Sequence, residues 1–311
     1  MSNKIFDRIL HLAFVQKVFT FTKNHSLPGF QKVPIYDVSY LFYQGIKNGT
    51  FSTRASSLAF KFFFAVFPGI IFLFTLIPII PVEGFQEELL NFIRTDIPKG
   101  IRDIAITTIE DLISTPRGGL LSFNFILMLY LTTDGIHSLM VEFNNSHHIS
   151  ETRKPFQQRL ISIALAIVLT LMLVMSIGLI IVTEVMVSVV ESKNIEVNDN
   201  FSNALFHAAK WVAVFALYYF AIAILYYFGP TKRKHFKFFS PGSILTTVLL
   251  IITSYGFSIY LQYFSTYNKI YGSIGTVMIV MLWFYLNSYI LLLGFDVNAS
   301  IANAKYKKEN A

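Results

Sequence analysis

Apolar residues run along this chain in long unbroken stretches, not in the alternating or every-third-residue stripes of a soluble core. A helix needs about 20 mainly apolar residues to cross about 30 Å of hydrocarbon. Six stretches meet that requirement, at about 57–80, 119–140, 160–183, 204–228, 241–264 and 273–295. The third, ISIALAIVLTLMLVMSIGLIIV, is the cleanest, and the second turns polar toward its end. Ser240 and Pro241 supply an N-cap followed by a first-position proline for the fifth helix, and Gly229-Pro230 stops the fourth. The pattern predicts an all-α polytopic membrane protein with a cytoplasmic N-terminal segment over 1–56, a six-helix transmembrane domain over 57–303 and a basic tail over 304–311.

Shorter amphipathic stretches surround the spans. KIFDRILHLAFVQKVFTF places Ile5, Ile9 and Leu12 on one helical stripe and predicts an interfacial helix. A signal peptide is the alternative, but polar residues break the run and no small-residue cleavage site follows. A second short helix is expected over about 35–47. In the first outer loop, IRDIAITTIEDLI sets Ile101, Ile104, Ala105, Ile109, Leu112 and Ile113 opposite Arg102, Asp103, Glu110 and Asp111, predicting short amphipathic helices. A second outer loop is expected over 184–203, with Glu184 a solvated interfacial carboxylate.

Composition sharpens this picture. The 311 residues are 54% hydrophobic and 14% charged, with 32 Phe and 16 Tyr. The absence of Cys excludes disulfides, thiolate metal ligands and cysteine nucleophiles. Most Lys and Arg fall before the first span, after the second and fourth, and in the tail, so both termini are expected in the cytoplasm. The net charge of +7 then reads as cytoplasmic loops facing anionic lipid. Lys232, Arg233, Lys234 and Lys237 in TKRKHFK are the expected contacts to anionic headgroups, with RNA as the lesser reading and no nucleic-acid partner expected.

Ionisable groups inside membrane helices are costly and mark candidate sites. Arg54, Ser57, Lys61 and Pro68 share one face of the first helix, and Pro68 is expected to kink it. Lys61 either snorkels to the interface or pairs with a carboxylate from another helix. Asp134 and His137 are surface neighbours on the second helix, with Asp134 roughly 22 Å beyond Gly119 and so in the cytoplasmic half. Arg54, Lys61, Asp134, His137 and Asp296 are therefore expected at similar depth as a polar cluster, either functional or a structural ion pair. On the sixth helix Tyr285, Tyr289 and Asp296 fall near one line, while Asn287, Gly294 and Asn298 form a second line nearly opposite. Protein contact on both faces is expected, with Asp296 facing a cation such as Lys61 or Arg54.

Catalytic chemistry finds little footing. The seven histidines make no H-x-x-x-H pair, and phosphate-binding glycine loops and a G-x-S-x-G elbow are missing. No catalytic residue, cofactor or metal is assigned.

Three stretches carry a family resemblance. YGSIGTVMIVMLWFYLNSYILLLGFDVNA resembles the closing motif of the YihY/BrkB family of bacterial inner-membrane proteins. RASSLAFKFFFAVFPGI resembles the family's first span, and the run from Phe143 through RKPFQQRL its loop after the second span. The resemblance implies six inner-membrane helices with both ends cytoplasmic. The family has carried the name ribonuclease BN, which fits poorly with a chain lacking a metal-ligand cluster, and is linked by name to serum resistance. What carries over is a role in the cell envelope, moving a lipid or amphipathic solute, with room for a homo-oligomer. A scaffold without a translocation path is the alternative, and a membrane-bound RNA-processing enzyme the third reading. Lys61 and Asp296 depart from the family pattern, in which a lysine in the first span is unusual and Glu is common in the last.

Overall fold

The computed structural model describes residues 20–47, 51–76, 118–146, 151–192, 200–231, 236–263 and 265–309. Within them the chain forms helices α1 (Ile35–Lys47), α2 (Phe51–Leu76), α3 (Gly118–Ser146), α4 (Pro155–Ser192), α5 (Asn200–Phe228), α6 (Pro241–Tyr263) and α7 (Ser265–Glu309). The fold is all-α. Four of these helices contain stretches long and apolar enough to cross a membrane, Pro155–Ser176, Ala208–Phe228, Pro241–Leu261 and Val277–Glu309. Six spans are expected; among the described residues α3 falls short of these four because the polar run Thr132, Thr133, Asp134 and His137 dilutes its apolar content. The predicted N-terminal interfacial helix, the amphipathic helices of 81–118 and Lys232, Arg233 and Lys234 lie outside the described residues.

Two helices outrun their expected ends. α4 continues through Ser192, because Glu184 to Ser192 holds no Gly or Pro to break it. α7 continues through Glu309, absorbing most of the expected tail. Its last turns are rich in alanine, a strong helix former, and have something to pack on: Ile301 and Ala304 are buried with Val33 and Val38, flanked by Phe30 and Leu41. That contact fastens α1 to the end of α7.

The chain divides into two compact units, Met1–Ala59 with Ile136–Ala311, and Phe60–Gly135. In the second unit Phe60, Phe63, Phe64 and Phe67 stack along α2, with Phe63 and Phe67 edge-to-face at 4.9 Å, and Pro68 is buried inside the helix. In the first unit Ile136 and Met140 of α3 pack on Leu165 and Ala166 of α4. Leu160, Ile167, Leu171, Val174 and Met175 of α4 stay exposed, an apolar face that lipid would cover.

The core of the first unit lies where α3, α5, α6 and α7 meet. Phe143 stacks on Phe295 at 4.0 Å, Tyr226 meets both rings edge-on, and Phe236 stacks on the other side of Phe295 at 5.6 Å. The Tyr226 hydroxyl donates to the Leu291 carbonyl at 2.7 Å and lies 2.6 Å from the Thr246 hydroxyl. α6 and α7 come close because both present glycine at the crossing. A Cβ on Gly294 would sit 1.7 Å from Thr246 Oγ1, and one on Gly242 only 2.1 Å from the Gly294 carbonyl. Asn298, one turn further along α7, then finishes the first turn of α6: its Oδ1 accepts from Gly242 N at 2.8 Å and its Nδ2 donates to Ser240 Oγ at 2.8 Å. Ser240 Oγ in turn accepts from Ser243 N at 3.3 Å, the N-cap bond expected from Ser240-Pro241.

A polar clamp ties together the loops at one end of this unit. The Glu151 carboxylate accepts from Arg153 N, Nε and Nη2, from Asn144 Nδ2 at 2.8 Å and from Thr231 Oγ1 at 2.7 Å. Arg153 Nη2 also donates to the Gly229 carbonyl at 3.0 Å, and Thr231 N to Asn144 Oδ1 at 3.0 Å. The ends of α3 and α5 and the start of α4 are thereby tied together. Burial alone would raise the Glu151 carboxyl, but the Arg153 and Thr231 hydrogen bonds and the Arg153 charge hold it down at about 2.

Two outcomes follow. Gly294→Ala should lower the melting temperature of the detergent-purified protein, costing about 1–3 kcal/mol by overpacking, while Gly256→Ala, with nothing within 4 Å of its added Cβ, leaves it unchanged. Because the folded Glu151 carboxyl is depressed from 4.5 to about 2, its stabilisation is complete above 4.5 and fades as pH falls toward 2. Melting curves between those pH values should therefore fall more steeply for the wild type than for Glu151→Gln, which loses about 1–2 kcal/mol at neutral pH.

Candidate functional site

Helix α7 shows different partners on its two polar lines. Along one, Tyr285 Oη is 3.0 Å from Ser52 Oγ, Tyr289 takes the Phe51 ring edge-on at 4.9 Å, and Asp296 follows beside Arg54. All three partners sit on the first turns of α2. Along the other, Gly294 and Asn298 face α6, and Asn287 bonds its own helix at the Trp283 carbonyl. The hydrophobic remainder of α7 fills the core between these lines, so a one-residue change in helical phase would misplace both.

Arg54 is the hub of the first line. Its Nε donates to Glu142 Oε2 at 2.7 Å, and its Nη2 donates to the Glu142 carbonyl at 2.6 Å and to Ser146 Oγ at 2.5 Å. The guanidinium also lies over the Phe51 ring, 5.8 Å from its centroid. The Ser146 hydroxyl donates to the Glu142 carbonyl at 3.1 Å, and Ser146 and Arg54 both lie near Asp296. Arg54 and Glu142 are 13% and 17% exposed and Asp296 only 5%, so the whole network is dry. Asp296 Oδ1 has no hydrogen-bond partner among the described residues, and Gly45 of α1 closes over Oδ2. Arg54 pairs with the Glu142 carboxylate, and the Asp296 carboxyl lies buried near the same guanidinium, in a setting where an unmatched polar oxygen is expensive.

The five expected cluster residues divide between the units. Arg54, His137 and Asp296 belong to the first, with His137 half-buried on α3. Lys61 and Asp134 belong to the second, where Lys61 Nζ lies 3.0 Å from Asp134 Oδ2. Those side chains are 37% and 27% exposed, so the pair is the wetter of the two. Lys237 is exposed just before α6.

Sequence reasoning missed Glu142 and Ser146, the groups that bind Arg54. Glu142 lies just past 140, the expected end of the second span. Helix α3 in fact runs to Ser146. Glu142 and Ser146 are four apart, and Asp134 and Glu142 eight, so one acidic face continues along α3. Among the described residues no group of three or more His, Asp and Glu could hold a metal ion.

Comparison with known proteins gives this arrangement its family. A ribonuclease-like protein, YfkH, of Bacillus subtilis (strain 168) is 27% identical over 253 residues, covering 81% of this chain and 90% of that one. A UPF0761 membrane protein of Xanthomonas oryzae pv. oryzae (strain PXO99A) is 26% identical over 269 residues, and XCC0860 of Xanthomonas campestris pv. campestris is 25% identical over the same length. The chain spans 58% of the length of these Xanthomonas relatives. No solved structure matches it. The family model described as Virulence factor BrkB matches residues 42–311, a stretch that contains Arg54, Glu142, Asp296 and both polar lines of α7. This multi-pass bacterial membrane protein belongs to the YihY/BrkB family, also called UPF0761.

Proposed function

We propose that the chain is a non-enzymatic, transporter-like protein of the cell envelope that handles a lipid or another amphipathic solute. In this reading six helices cross the inner membrane, both termini are cytoplasmic, and Lys232, Arg233, Lys234 and Lys237 rest on anionic headgroups. The observation that carries it is the dry Arg54–Glu142–Ser146–Asp296 network. A purely structural pair would match one carboxylate to one cation; here a second carboxyl group is held with one oxygen unmatched. Ionisable groups kept at such cost within membrane helices mark substrate or ion pathways. The stacked Phe143, Phe295 and Phe236 rings favour the alternative, a scaffold without a path, because they plug the unit beside that network. The ribonuclease-like name of the Bacillus relative supplies the third reading, which the ligand chemistry of the described residues does not support.

The test is leaflet-to-leaflet transfer of a fluorescent phospholipid in vesicles containing the purified chain. Wild type should move lipid faster than protein-free vesicles, and Asp296→Asn should slow it about tenfold, the equivalent of one charged hydrogen bond. Gly256→Ala should match wild type. No transfer by the wild type favours the scaffold, and RNA cleavage lost with Asp134→Asn would favour the enzyme.

A further inference from the structure

A groove of about 440 Å3 lies between the first turns of α1 and the last turns of α7. Pro34, Leu41 and Ala304 form its apolar floor, and Asp37, Tyr40, Lys307 and Lys308 line its walls. Each charge alone has an ordinary explanation: an acid suits the first turn of a helix and lysines suit the last. What helix ends do not explain is their arrangement. Asp37 and the two lysines face one space from different helices, and among the described residues neither Asp37 nor Lys307 has an ion-pair partner. Lys308 Nζ only reaches the Lys32 carbonyl, at 3.5 Å. Opposite charges line one groove and make no ion pair with each other.

The groove also sits where a headgroup would be found. The stretch Val277–Glu309 has 33 residues, about 50 Å of helix against about 30 Å of hydrocarbon, so part of it must leave the acyl chains, and Lys305, Lys307, Lys308 and Glu309 mark the last turns as that part. Tyr40 and Tyr43 on α1 are 50% and 60% exposed, in keeping with the aromatic residues of a membrane–water interface.

We propose that this groove binds a zwitterionic headgroup, a phosphodiester carrying a primary ammonium. The phosphate takes Lys307 and Lys308, and the ammonium takes Asp37 beside the Tyr40 ring. A purely anionic headgroup would satisfy the lysines but meet Asp37 as a like charge, and a quaternary ammonium has no N–H to donate to it. The proposal deepens the lipid reading above and rests on it.

The experiment places the purified full chain in phosphatidylcholine nanodiscs doped with phosphatidylethanolamine or phosphatidylglycerol, and measures retained lipid by native mass spectrometry. Wild type should retain phosphatidylethanolamine about threefold over the other two, the size expected of exposed ion pairs. The double variant Lys307→Gln with Lys308→Gln should retain both doped lipids less, and Asp37→Asn should erase the preference over phosphatidylglycerol alone. Competition by soluble glycerophosphoethanolamine would show that the headgroup suffices without acyl chains; failure of that competition with the preference intact would assign the site to membrane lipid. Equal competition by inorganic phosphate, equal retention of all three lipids, or indifference to Asp37→Asn would overturn the proposal and leave the charges to their helix ends. A chain that shows the preference yet moves no lipid keeps this site and loses the transport reading; one that moves lipid without preference loses the site alone.

Discussion

The close crossing of α6 and α7 at Gly242 and Gly294 is the constraint on which the first unit depends. No side chain larger than hydrogen fits at either position, because Thr246 Oγ1 and the Gly294 carbonyl already occupy the space. The approach lets Asn298 reach the first turn of α6 and hold Gly242 N and Ser240 Oγ. It also puts the Tyr226 hydroxyl within reach of both Thr246 and the Leu291 carbonyl. With the phase of α7 fixed from the α6 side, its opposite line can only face α2. Asp296 meets Arg54 for that reason.

The same geometry explains how a bundle of apolar helices tolerates a buried charged network. Attraction between apolar helices is weak in lipid, so small residues and polar side chains must supply the contact. Glycine supplies it on the α6 side and hydrogen bonds supply it on the α2 side. Arg54 spreads its donors over the Glu142 carboxylate, the Glu142 carbonyl and Ser146, which anchors α2 to the end of α3. The Glu151 clamp then holds the end of α3 against α4 and α5. The two networks share α3, and each removes a freedom that the other would otherwise have to restrain.

Much of this was legible in the sequence where local chemistry decides the outcome. Ser240-Pro241 and Gly229-Pro230 marked the start of α6 and the end of α5, because capping and chain breaking act within a few residues. The two polar lines on α7 followed from 100° per residue. Which helix each line would meet did not, since Glu142 is 88 residues from Arg54 in sequence and lies past the expected end of the second span. The full length of α7 was hidden for a related reason: its last turns are polar on the outside, and only packing on Val33 and Val38 keeps them helical. Sequence reasoning grouped Lys61 and Asp134 with Arg54 and Asp296 by depth, and depth does not give the pairing within each unit, Arg54 with Glu142 and Lys61 with Asp134.

Amide hydrogen exchange at the start of α6 tests the central claim directly. If Asn298 holds that turn through Gly242 N, then Asn298→Ala should speed exchange at Gly242, Ser243 and Ile244 and, through the shared crossing, at the end of α2 that carries Arg54, while the second half of α6 keeps wild-type rates. Unchanged exchange at Gly242, or uniform loosening along all of α6, would contradict an account in which one capped glycine crossing sets the phase of α7.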